Sequence, residues 1–311
     1  MAFHHVSILL DACLEALQIR PDGVYVDATT GGAGHSLRIA ERLRDGGRLI
    51  CIDRDEAALE NARTRLAGVW QRVTPVKSDF RAIDAVLAAQ GLTGADGILF
   101  DLGVSSPQLD QAERGFSYMQ DAPLDMRMDR TQTLTAYDVV NGWSREALRR
   151  ILFEYGEERY APLIAAAIER ERADKPIETT FELVEIIKRT MPGKAKREKQ
   201  HPAKRSFQAI RIAVNDELGA VREAMDKAID CLRPGGRLAV ITFHSLEDRI
   251  VKTAFQQAAQ GCTCPKTFPV CVCGKTPKVA LTPRKPILPD AAEIAANPRA
   301  RSAKLRVCEK L

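Results

Sequence analysis

Short apolar runs that end in an acidic residue alternate with helical patterns over the first hundred residues. The apolar runs predict four buried strands, at Val24–Asp27, Arg48–Asp53, 73–76 and 97–101. Between them, apolar spacing predicts helices over 36–44 and 56–66, the second capped by Asp55. Strands that alternate with helices predict an α/β fold, in which a doubly wound, mostly parallel sheet carries helices on both faces.

A long interval separates the fourth strand from the next one. About 135 residues lie between Asp101 and Leu238, although a crossover between neighbouring parallel strands needs only a helix and two loops. We predict the crossover helix at 215–232 and further helices at 144–153 (after the cap Ser144), 161–172 and 181–190. The expected organisation is an α/β domain of residues 1–109 and 213–311, interrupted by an inserted all-helical domain at 110–212.

The turn after the first strand is rich in small residues. It reads Ala28-Thr-Thr-Gly-Gly-Ala-Gly-His35 and leads into a predicted helix. Gly31, Gly32 and Gly34 would let the backbone approach a ligand closely, and a helix N-terminus offers free N–H groups. The turn is a candidate cofactor cradle, with a tight turn that binds nothing as the alternative.

Acids end three successive strands and would lie along one edge of the sheet. Asp53 follows the glycines by about twenty residues, the spacing at which an acid binds ribose hydroxyls. Its alternative role is a helix cap, for which Asp55 is better placed. Asp79 and Asp101 follow or end the next two strands. Because open α/β sheets bind ligands outside the carboxyl ends of their strands, these acids are candidate binding residues.

Composition narrows the class of protein. The 311 residues carry a formal net charge of +5 and have the composition of an ordinary globular protein. No apolar stretch approaches the roughly 18 to 20 residues that span a bilayer. Segment 4–17 has helical apolar spacing with an acid in its middle, so we expect a surface-packed helix, no signal peptide and a cytoplasmic enzyme.

Basic residues concentrate in one segment. Positions 188 to 205 contain eight basic residues and one acid, Glu198. The basic residues are Lys188, Arg189, Lys194, Lys196, Arg197, Lys199, Lys204 and Arg205. A solvated helix face would interleave acids with the bases. The run therefore favours a surface that binds the phosphates of a nucleic acid.

The eight cysteines divide into two groups. Four lie in apolar contexts and are expected to be reduced core residues: Cys13, Cys51, Cys231 and Cys308. The others form two Cys-x-Cys pairs around a short loop: Cys262, Cys264, Cys271 and Cys273. Thiols this close could bind zinc, but the one-residue spacing is tighter than that of usual structural sites. We assign no metal ligands here, and three alternatives stay open: a metal, a redox-labile disulfide, and an ordered loop with free thiols.

The segment 232–243 separates two classes of nucleotide-binding protein. It predicts a helix end at Leu232, a stop at Pro234-Gly235 and then a β-branched strand. This arrangement resembles the segment after the cofactor site in class I S-adenosylmethionine methyltransferases. A dehydrogenase would normally show a full Gly-x-Gly-x-x-Gly, which this chain lacks.

Longer motifs cover nearly the whole chain. They are Glu113-Arg-Gly-Phe-Ser-Tyr118, Phe243-His-Ser-Leu-Glu-Asp-Arg249 and the segments 100–110, 123–129, 155–159, 207–218 and 297–302. Together they resemble the bacterial small-subunit ribosomal RNA methyltransferase H family, also called MraW. The resemblance implies a Rossmann-like class I methyltransferase with an inserted RNA-recognition domain. It also implies S-adenosylmethionine as cofactor, the N4 amine of a cytidine in the decoding region of 16S rRNA as target, and the small ribosomal subunit as partner. The oligomeric state stays open, with a homodimer as one alternative.

The resemblance assigns cofactor contacts to seven residues: Ala33, Gly34 and His35 in the turn, Asp53 at the ribose, Phe80 near the adenine, and Asp101 and Gln108 beside the methionine end. The residues alone indicate the turn, Asp53, the Asp79-Phe80 corner and Asp101, whereas Gln108 comes from the resemblance only. The family often has glycine where this chain has Ala28 and Ala33, and a positive φ there would not suit alanine well.

The implied chemistry needs a proton acceptor. A cytosine amine is a poor nucleophile because its lone pair is delocalised into the ring. Many amino methyltransferases place Asn or Asp before Pro-Pro-Tyr after the fourth strand, but here Leu-Gly-Val-Ser follows Asp101. Asp101, or a backbone carbonyl after it, is the first candidate acceptor and His244 the second. The chain has no Pro-Cys dipeptide, which argues against methylation at cytosine C5.

Two other functions stay open. A methyltransferase for a small molecule or a protein would share the cradle but would not need the basic run. A non-catalytic ribosome assembly factor would bind RNA without consuming cofactor, and the intact Asp53 and Asp101 argue against it.

Overall fold

The structure is a computed structural model that describes residues 7–193, 200–265, 267–270 and 272–311. The chain forms two compact units, one of Met1–Gly103 with Leu218–Leu311 and one of Val104–Glu217. The sequence predicted the inserted domain at 110–212. The second unit is longer than this and also includes the residues directly after the fourth strand.

The first unit is built on a seven-stranded sheet. Its strands are β1 Val24–Asp27, β2 Arg48–Asp53, β3 Val73–Lys77, β4 Ala95–Asp101, β5 Leu232–Thr242, β6 Val279–Leu281 and β7 Lys304–Lys310. Their spatial order is β3-β2-β1-β4-β5-β7-β6. β7 runs antiparallel to both β5 and β6, and the other neighbouring strands pair in parallel. The predicted doubly wound α/β sheet is confirmed.

Both faces of the sheet are buried. In β2, Ile50 and Ile52 pack into one core cluster, whereas Leu49 and Cys51 pack into another. Successive side chains of a strand point to opposite faces, so a strand covered on both faces is apolar at every position. This is why continuous apolar runs located the parallel strands from the sequence.

The α-helices of the described residues are, in chain order, α1 Leu10–Leu17, α2 Gly34–Ala40, α3 Glu56–Arg65, α4 Ile83–Ala89, α5 Ser106–Asp110, α6 Ala136–Gly142, α7 Arg145–Glu154, α8 Ala161–Asp174, α9 Thr180–Thr190, α10 Lys204–Asn215, α11 Glu217–Asp230, α12 Ser245–Ala259 and α13 Ala291–Ala296. Helices α5 to α10 belong to the second unit. Within the described part of the chain, none of these helices has the length and apolar character needed to cross a membrane.

The second unit has a helical core of its own. The three helices predicted from apolar spacing are present as α7, α8 and α9, and the one predicted cap is confirmed, since Ser144 accepts a hydrogen bond from the N–H of Ala147 at the start of α7. Residues three or four apart, such as Ile164 and Ile168 of α8, fall on one face and are fully buried. The unit therefore does not depend on a sheet for its hydrophobic core.

Two boundaries near β5 differ from the prediction. The crossover helix α11 ends at Asp230 instead of Leu232, and Pro234 and Gly235 lie inside β5 instead of before it. The pairing of β4 with β5 shifts register between Ala95 and Gly97, so the strand absorbs the Pro-Gly pair as an irregularity. The crossover helix also begins later than the predicted position 215. Helix α10 ends at Asn215, Asp216 has the left-handed conformation, and α11 begins at Glu217.

Candidate active site

Three acids end three neighbouring strands of the sheet. Asp27 ends β1, Asp53 ends β2 and Asp101 ends β4, and the spatial order places β1 between the other two. The crossovers on the two sides of β1 run in opposite directions, which makes this edge the topological switch point where open α/β sheets bind ligands. The three carboxyl groups therefore lie where the sequence predicted a ligand site.

Asp27 is the most buried of the three acids, with 1% of its surface exposed. It accepts a hydrogen bond of 2.6 Å from the hydroxyl of Ser36 and one of 3.2 Å from the N–H of Thr29. Burial raises the pKa of Asp27 to about 6, although both hydrogen bonds oppose this shift. Sequence reasoning missed Asp27, yet the signal was the same one that identified Asp53: an acid closing an apolar strand.

The turn between β1 and α2 is held on both sides by the strands it passes. The N–H of Gly31 donates to Asp53 Oδ2 at 2.8 Å, and the hydroxyl of Thr30 donates to the carbonyl of Ile52 at 3.0 Å. On the other side, the N–H of Asp101 donates to Thr29 Oγ1 at 2.6 Å. The turn is thus fixed relative to the ends of both β2 and β4.

Two positions in this turn explain its small residues. Ala33 has φ 57 and ψ 22, the left-handed conformation, which costs a non-glycine residue roughly 1 to 2 kcal/mol. A side chain on Gly34 would place its first carbon 1.9 Å from Ser7 Oγ. An alanine in place of the glycine that the family often has at position 33 therefore costs stability. At position 34 a glycine is favoured because Ser7 of the N-terminal segment approaches closely.

Asp53 is oriented by backbone donors. Its Oδ2 accepts from the N–H of Gly31, as above, and its Oδ1 accepts from the N–H of Asp55 at 2.8 Å. Burial raises the pKa of Asp53 to about 6 against the lowering effect of these two bonds. Asp55 caps α3 by accepting from the N–H of Ala57, so the helix-capping role belongs to Asp55, as predicted. Each Asp53 oxygen keeps a second lone pair for a ligand hydroxyl.

Asp101 lies close to His35, an ionisable side chain of the turn. Its Oδ2 is 3.6 Å from Nδ1 of His35, whose Nε2 lies 3.1 Å from the carbonyl of Ile8. Because a carbonyl can only accept, Nε2 carries the hydrogen in this contact and Nδ1 faces Asp101 as the other ring nitrogen. His35 is itself buried, so it has few other orientations.

The environment of Asp101 strongly favours its neutral form. Burial, together with the smaller effect of the nearby carboxyl groups of Asp27 and Glu247, raises the pKa of Asp101 to about 8. Although 29% of the side chain is exposed, Oδ1 is enclosed and has no hydrogen-bond partner among the described residues. An enclosed acceptor without a partner at the end of a strand is the arrangement expected of a group that binds a ligand.

Phe80 lies at the end of the third strand, where the sequence predicted an adenine contact. It begins a short 3-10 helix capped by Asp79, which accepts from the N–H of Arg81 at 2.9 Å. The Phe80 ring meets Phe100 edge to face, with centroids 5.4 Å apart. Packing against Phe100 therefore holds a partly exposed aromatic ring beside the switch point.

His244, the second candidate proton acceptor, caps a helix. It accepts a hydrogen bond through Nδ1 from the N–H of Glu247 at the start of α12. Its Nε2 lies 3.1 Å from Oε1 of Glu247, and Oε2 of Glu247 accepts from the N–H of Phe243 at 2.8 Å. Nδ1 of His244 is thereby committed to the helix start, whereas Nε2 is enclosed and has no hydrogen-bond partner among the described residues, so His244 stays the second candidate acceptor.

Gln108 belongs to the second unit, and its predicted contact with the cofactor stays a prediction. It forms a capping box with Ser105 at the start of α5: its N–H donates to Ser105 Oγ at 3.4 Å and its Oε1 accepts from the N–H of Ser105 at 3.1 Å. The box fixes the first turn of this short helix.

The basic run is described only in part. Lys194, Lys196, Arg197 and Lys199 lie outside the described residues. At the end of α9, Lys188 pairs with Glu185 at 2.9 Å and Arg189 pairs with Glu171 of α8 at 3.2 Å. Both bases are thus paired with acids: Glu185 is a neighbour on the same helix, whereas Glu171 comes from another helix and was not evident from the linear sequence.

Comparison with known proteins places this arrangement in a family. The family model described as the MraW methylase family matches residues 2–311. The chain belongs to the MraW methylase family. A relative from Brevibacillus brevis named "Ribosomal RNA small subunit methyltransferase H" is 58% identical over 311 residues, which cover 100% of this chain and 99% of the relative. Proteins of the same name from Paenibacillus sp. and Clostridioides difficile are 58% and 54% identical, with at least 99% of each chain covered. The family resemblance drawn from the sequence motifs is confirmed.

The raised pKa of Asp101 predicts a pH dependence of stability. An unfolded aspartate titrates near 3.8 and folded Asp101 near 8, so between these pH values the folded protein holds one more proton and its free energy of unfolding falls as pH rises. Asp27 and Asp53 titrate near 6, so they add to this fall mainly below pH 7. From pH 6 to 8, Asp101→Asn should therefore lose less stability than the wild type, by up to about 1.4 kcal/mol per pH unit.

Urea denaturation at pH 6 and pH 8 measures this difference, with Asp45→Asn on the exposed surface as the matched control. The control should keep the wild-type slope. Equal slopes for Asp101→Asn and the wild type would show that Asp101 ionises normally.

Proposed function

We propose that this chain transfers a methyl group from S-adenosylmethionine to the N4 amine of a cytidine in the decoding region of 16S rRNA. The observation that carries this proposal is the enclosed carboxyl of Asp101 at the switch point, in a chain that belongs throughout to a methylase family. The relatives named as small-subunit ribosomal RNA methyltransferases support the substrate. The reaction belongs in the cytoplasm, where ribosomal subunits are assembled.

The residues at the switch point fit S-adenosylmethionine. The turn at Ala33 and Gly34 brings backbone close to the ligand site, Asp53 offers two oriented oxygens to ribose hydroxyls, and Phe80 offers a ring to the adenine. His35 and Asp101 are the polar side chains left for the methionine end, together with Gln108 as the family resemblance assigns. The bound cofactor would supply a methyl group activated by a positively charged sulfur.

Asp101 is the proposed proton acceptor. The cytosine N4 amine must lose a proton as it gains the methyl group, and an acceptor works best when its pKa lies near the operating pH. Burial has already moved the pKa of Asp101 into that range. A positive charge near a carboxyl group favours its charged form. The sulfonium of a bound cofactor would therefore favour the ionised form of Asp101, which is the form that can accept a proton.

The RNA must present a single unstacked base. A cytosine held in a helix buries its N4 edge in base pairing, whereas a flipped base can enter a pocket. The inserted helical unit and the basic run are the proposed RNA-binding parts, because lysine and arginine neutralise phosphates without regard to sequence. A small-molecule methyltransferase would have no use for this run, and an inactive assembly factor would have no use for an acceptor tuned by burial.

The cofactor assignment predicts the effect of removing Asp53. Asp53→Ala should weaken S-adenosylmethionine binding by about 2 to 4 kcal/mol, since two hydrogen bonds to a charged carboxylate are lost. Isothermal titration calorimetry measures the affinity, and thermal melting checks that the variant folds. Asp45→Ala, on the exposed surface, is the control and should bind as the wild type does. Unchanged affinity in Asp53→Ala would remove Asp53 from the site.

The reaction assignment predicts one product and one essential carboxyl. Ribosomal RNA or small subunits from a strain without the enzyme should gain N4-methylcytidine at one decoding-region position, read by mass spectrometry of nuclease digests. Asp101→Ala should lower the single-turnover rate by more than about tenfold. Cofactor affinity measured on the same variant separates a lost acceptor from a misplaced cofactor. Methyl found on C5, on ribose or on adenine would contradict the assigned chemistry.

The RNA assignment predicts a salt effect. Replacing Lys194, Lys196, Arg197 and Lys199 together with Ala should reduce the dependence of RNA affinity on salt by about 0.7 to 0.9 log units per lost phosphate contact, with cofactor affinity unchanged. The matched control is Lys175→Ala, a lysine already paired with Glu182 at 2.9 Å, which should leave the slope as it is. If the fourfold variant keeps the wild-type slope, the run is an ordinary solvated surface.

A further inference from the structure

The Cys-x-Cys pairs lie in a loop that the methyl-transfer reaction does not use. They fall between α12, which ends at Ala259, and β6, which begins at Val279. In this connection the described residues form turns and bends but no helix or strand. The sequence left a metal, a disulfide and free thiols as open alternatives.

The sulfur positions discriminate among these alternatives. The Sγ atoms of Cys262, Cys264 and Cys273 lie within 4.8 Å of one another, and those of Cys262 and Cys273 are 3.8 Å apart. A disulfide would hold two sulfurs about 2.05 Å apart. Zinc with tetrahedral bonds of about 2.3 Å places its sulfur ligands about 3.8 Å from each other. The separation of Cys262 and Cys273 therefore matches an edge of a zinc–thiolate tetrahedron.

Backbone hydrogen bonds to the sulfurs support charged thiolates. Thiolate sulfur accepts hydrogen bonds better than a neutral thiol because it is negatively charged. Three N–H groups point at the cluster, each 3.4 Å from a sulfur: those of Thr263 to Cys273, of Cys264 to Cys262 and of Val272 to Cys264. Each of the three sulfurs thus receives one backbone donor, a pattern that would stabilise metal-bound thiolates.

The described residues of the loop form no apolar core that would hold this shape. Its apolar side chains point to solvent: Phe268 is 50% exposed, Val270 70% and Val272 74%. A short segment that buries so little apolar surface needs another source of stability, and a structural metal is a common one. The convergence of three sulfurs in such a loop is otherwise unaccounted for.

We propose that Cys262, Cys264 and Cys273 are thiolate ligands of a structural zinc ion. Each thiol releases its proton to solvent on binding, and no electron is transferred. Thiolate ligands suit zinc among the abundant divalent metals. The inference does not depend on the proposed methyl transfer.

Metal content of the full-length protein tests the proposal. Protein purified without chelator should contain about one zinc per chain by plasma mass spectrometry. Cys262→Ser and Cys273→Ser should each lower the content at least about fivefold. Cys231→Ser, a half-buried thiol outside the loop, is the matched control and should keep the full zinc content. Thermal melting of each variant checks that the core still folds.

A second measurement separates metal loss from general damage. Limited trypsin digestion should leave the zinc-bound loop intact and cut at Lys275 after a chelator removes the metal, with protection restored by added zinc. Protein that takes up no zinc from a buffered zinc solution would overturn the proposal. Variants that keep their zinc would also overturn it. So would iron or copper found in place of zinc, or a protein mass lower by two hydrogen atoms, which would reveal a disulfide.

Discussion

The site depends on three carboxyl groups held at the ends of neighbouring parallel strands, largely away from water. Taking a charged carboxylate out of water is costly, so each of these acids either finds donors or becomes neutral. Asp27 and Asp53 find donors in Ser36, Thr29 and the backbone of the turn, and their pKa values rise only to about 6. Asp101 is buried next to the carboxyl groups of Asp27 and Glu247, and its pKa rises to about 8, mainly because of burial.

The same hydrogen bonds that satisfy Asp27 and Asp53 also shape the cofactor turn. Asp27 ties Ser36 of α2 to the end of β1, and Asp53 ties Gly31 to the end of β2. The turn is thereby fixed before any ligand binds, so little conformational entropy remains to be lost on binding. The left-handed Ala33 persists because these surrounding contacts fix its conformation.

The sequence predicted the elements that depend on local pattern. β1 and β2 were predicted to the residue because a doubly covered strand is apolar throughout and stops at a polar end. The caps Asp55 and Ser144 were also visible, since a cap needs only a short polar side chain before an apolar pattern.

Features that depend on contacts across the fold were not predictable. The irregular start of β5 arises from its pairing with β4, and the partner of Arg189 comes from another helix. The sequence named His244 as the second candidate acceptor because it follows β5, and its role as the cap of α12 was not noticed, although Glu247 three residues later was a capping-box signal. The ionisation of Asp101 follows from burial and neighbouring charge, neither of which the chain order displays.

Burial keeps Asp101 neutral until a positive charge arrives beside it. Carbon-13 NMR of labelled aspartate carboxyl groups, with Asp101→Asn to assign the signal, measures the pKa directly. In the free protein the titration midpoint should lie near 8, and it should fall when positively charged S-adenosylmethionine binds but much less with neutral S-adenosylhomocysteine. A midpoint near 3.8 in the free protein, or the same midpoint with both ligands, would contradict the account.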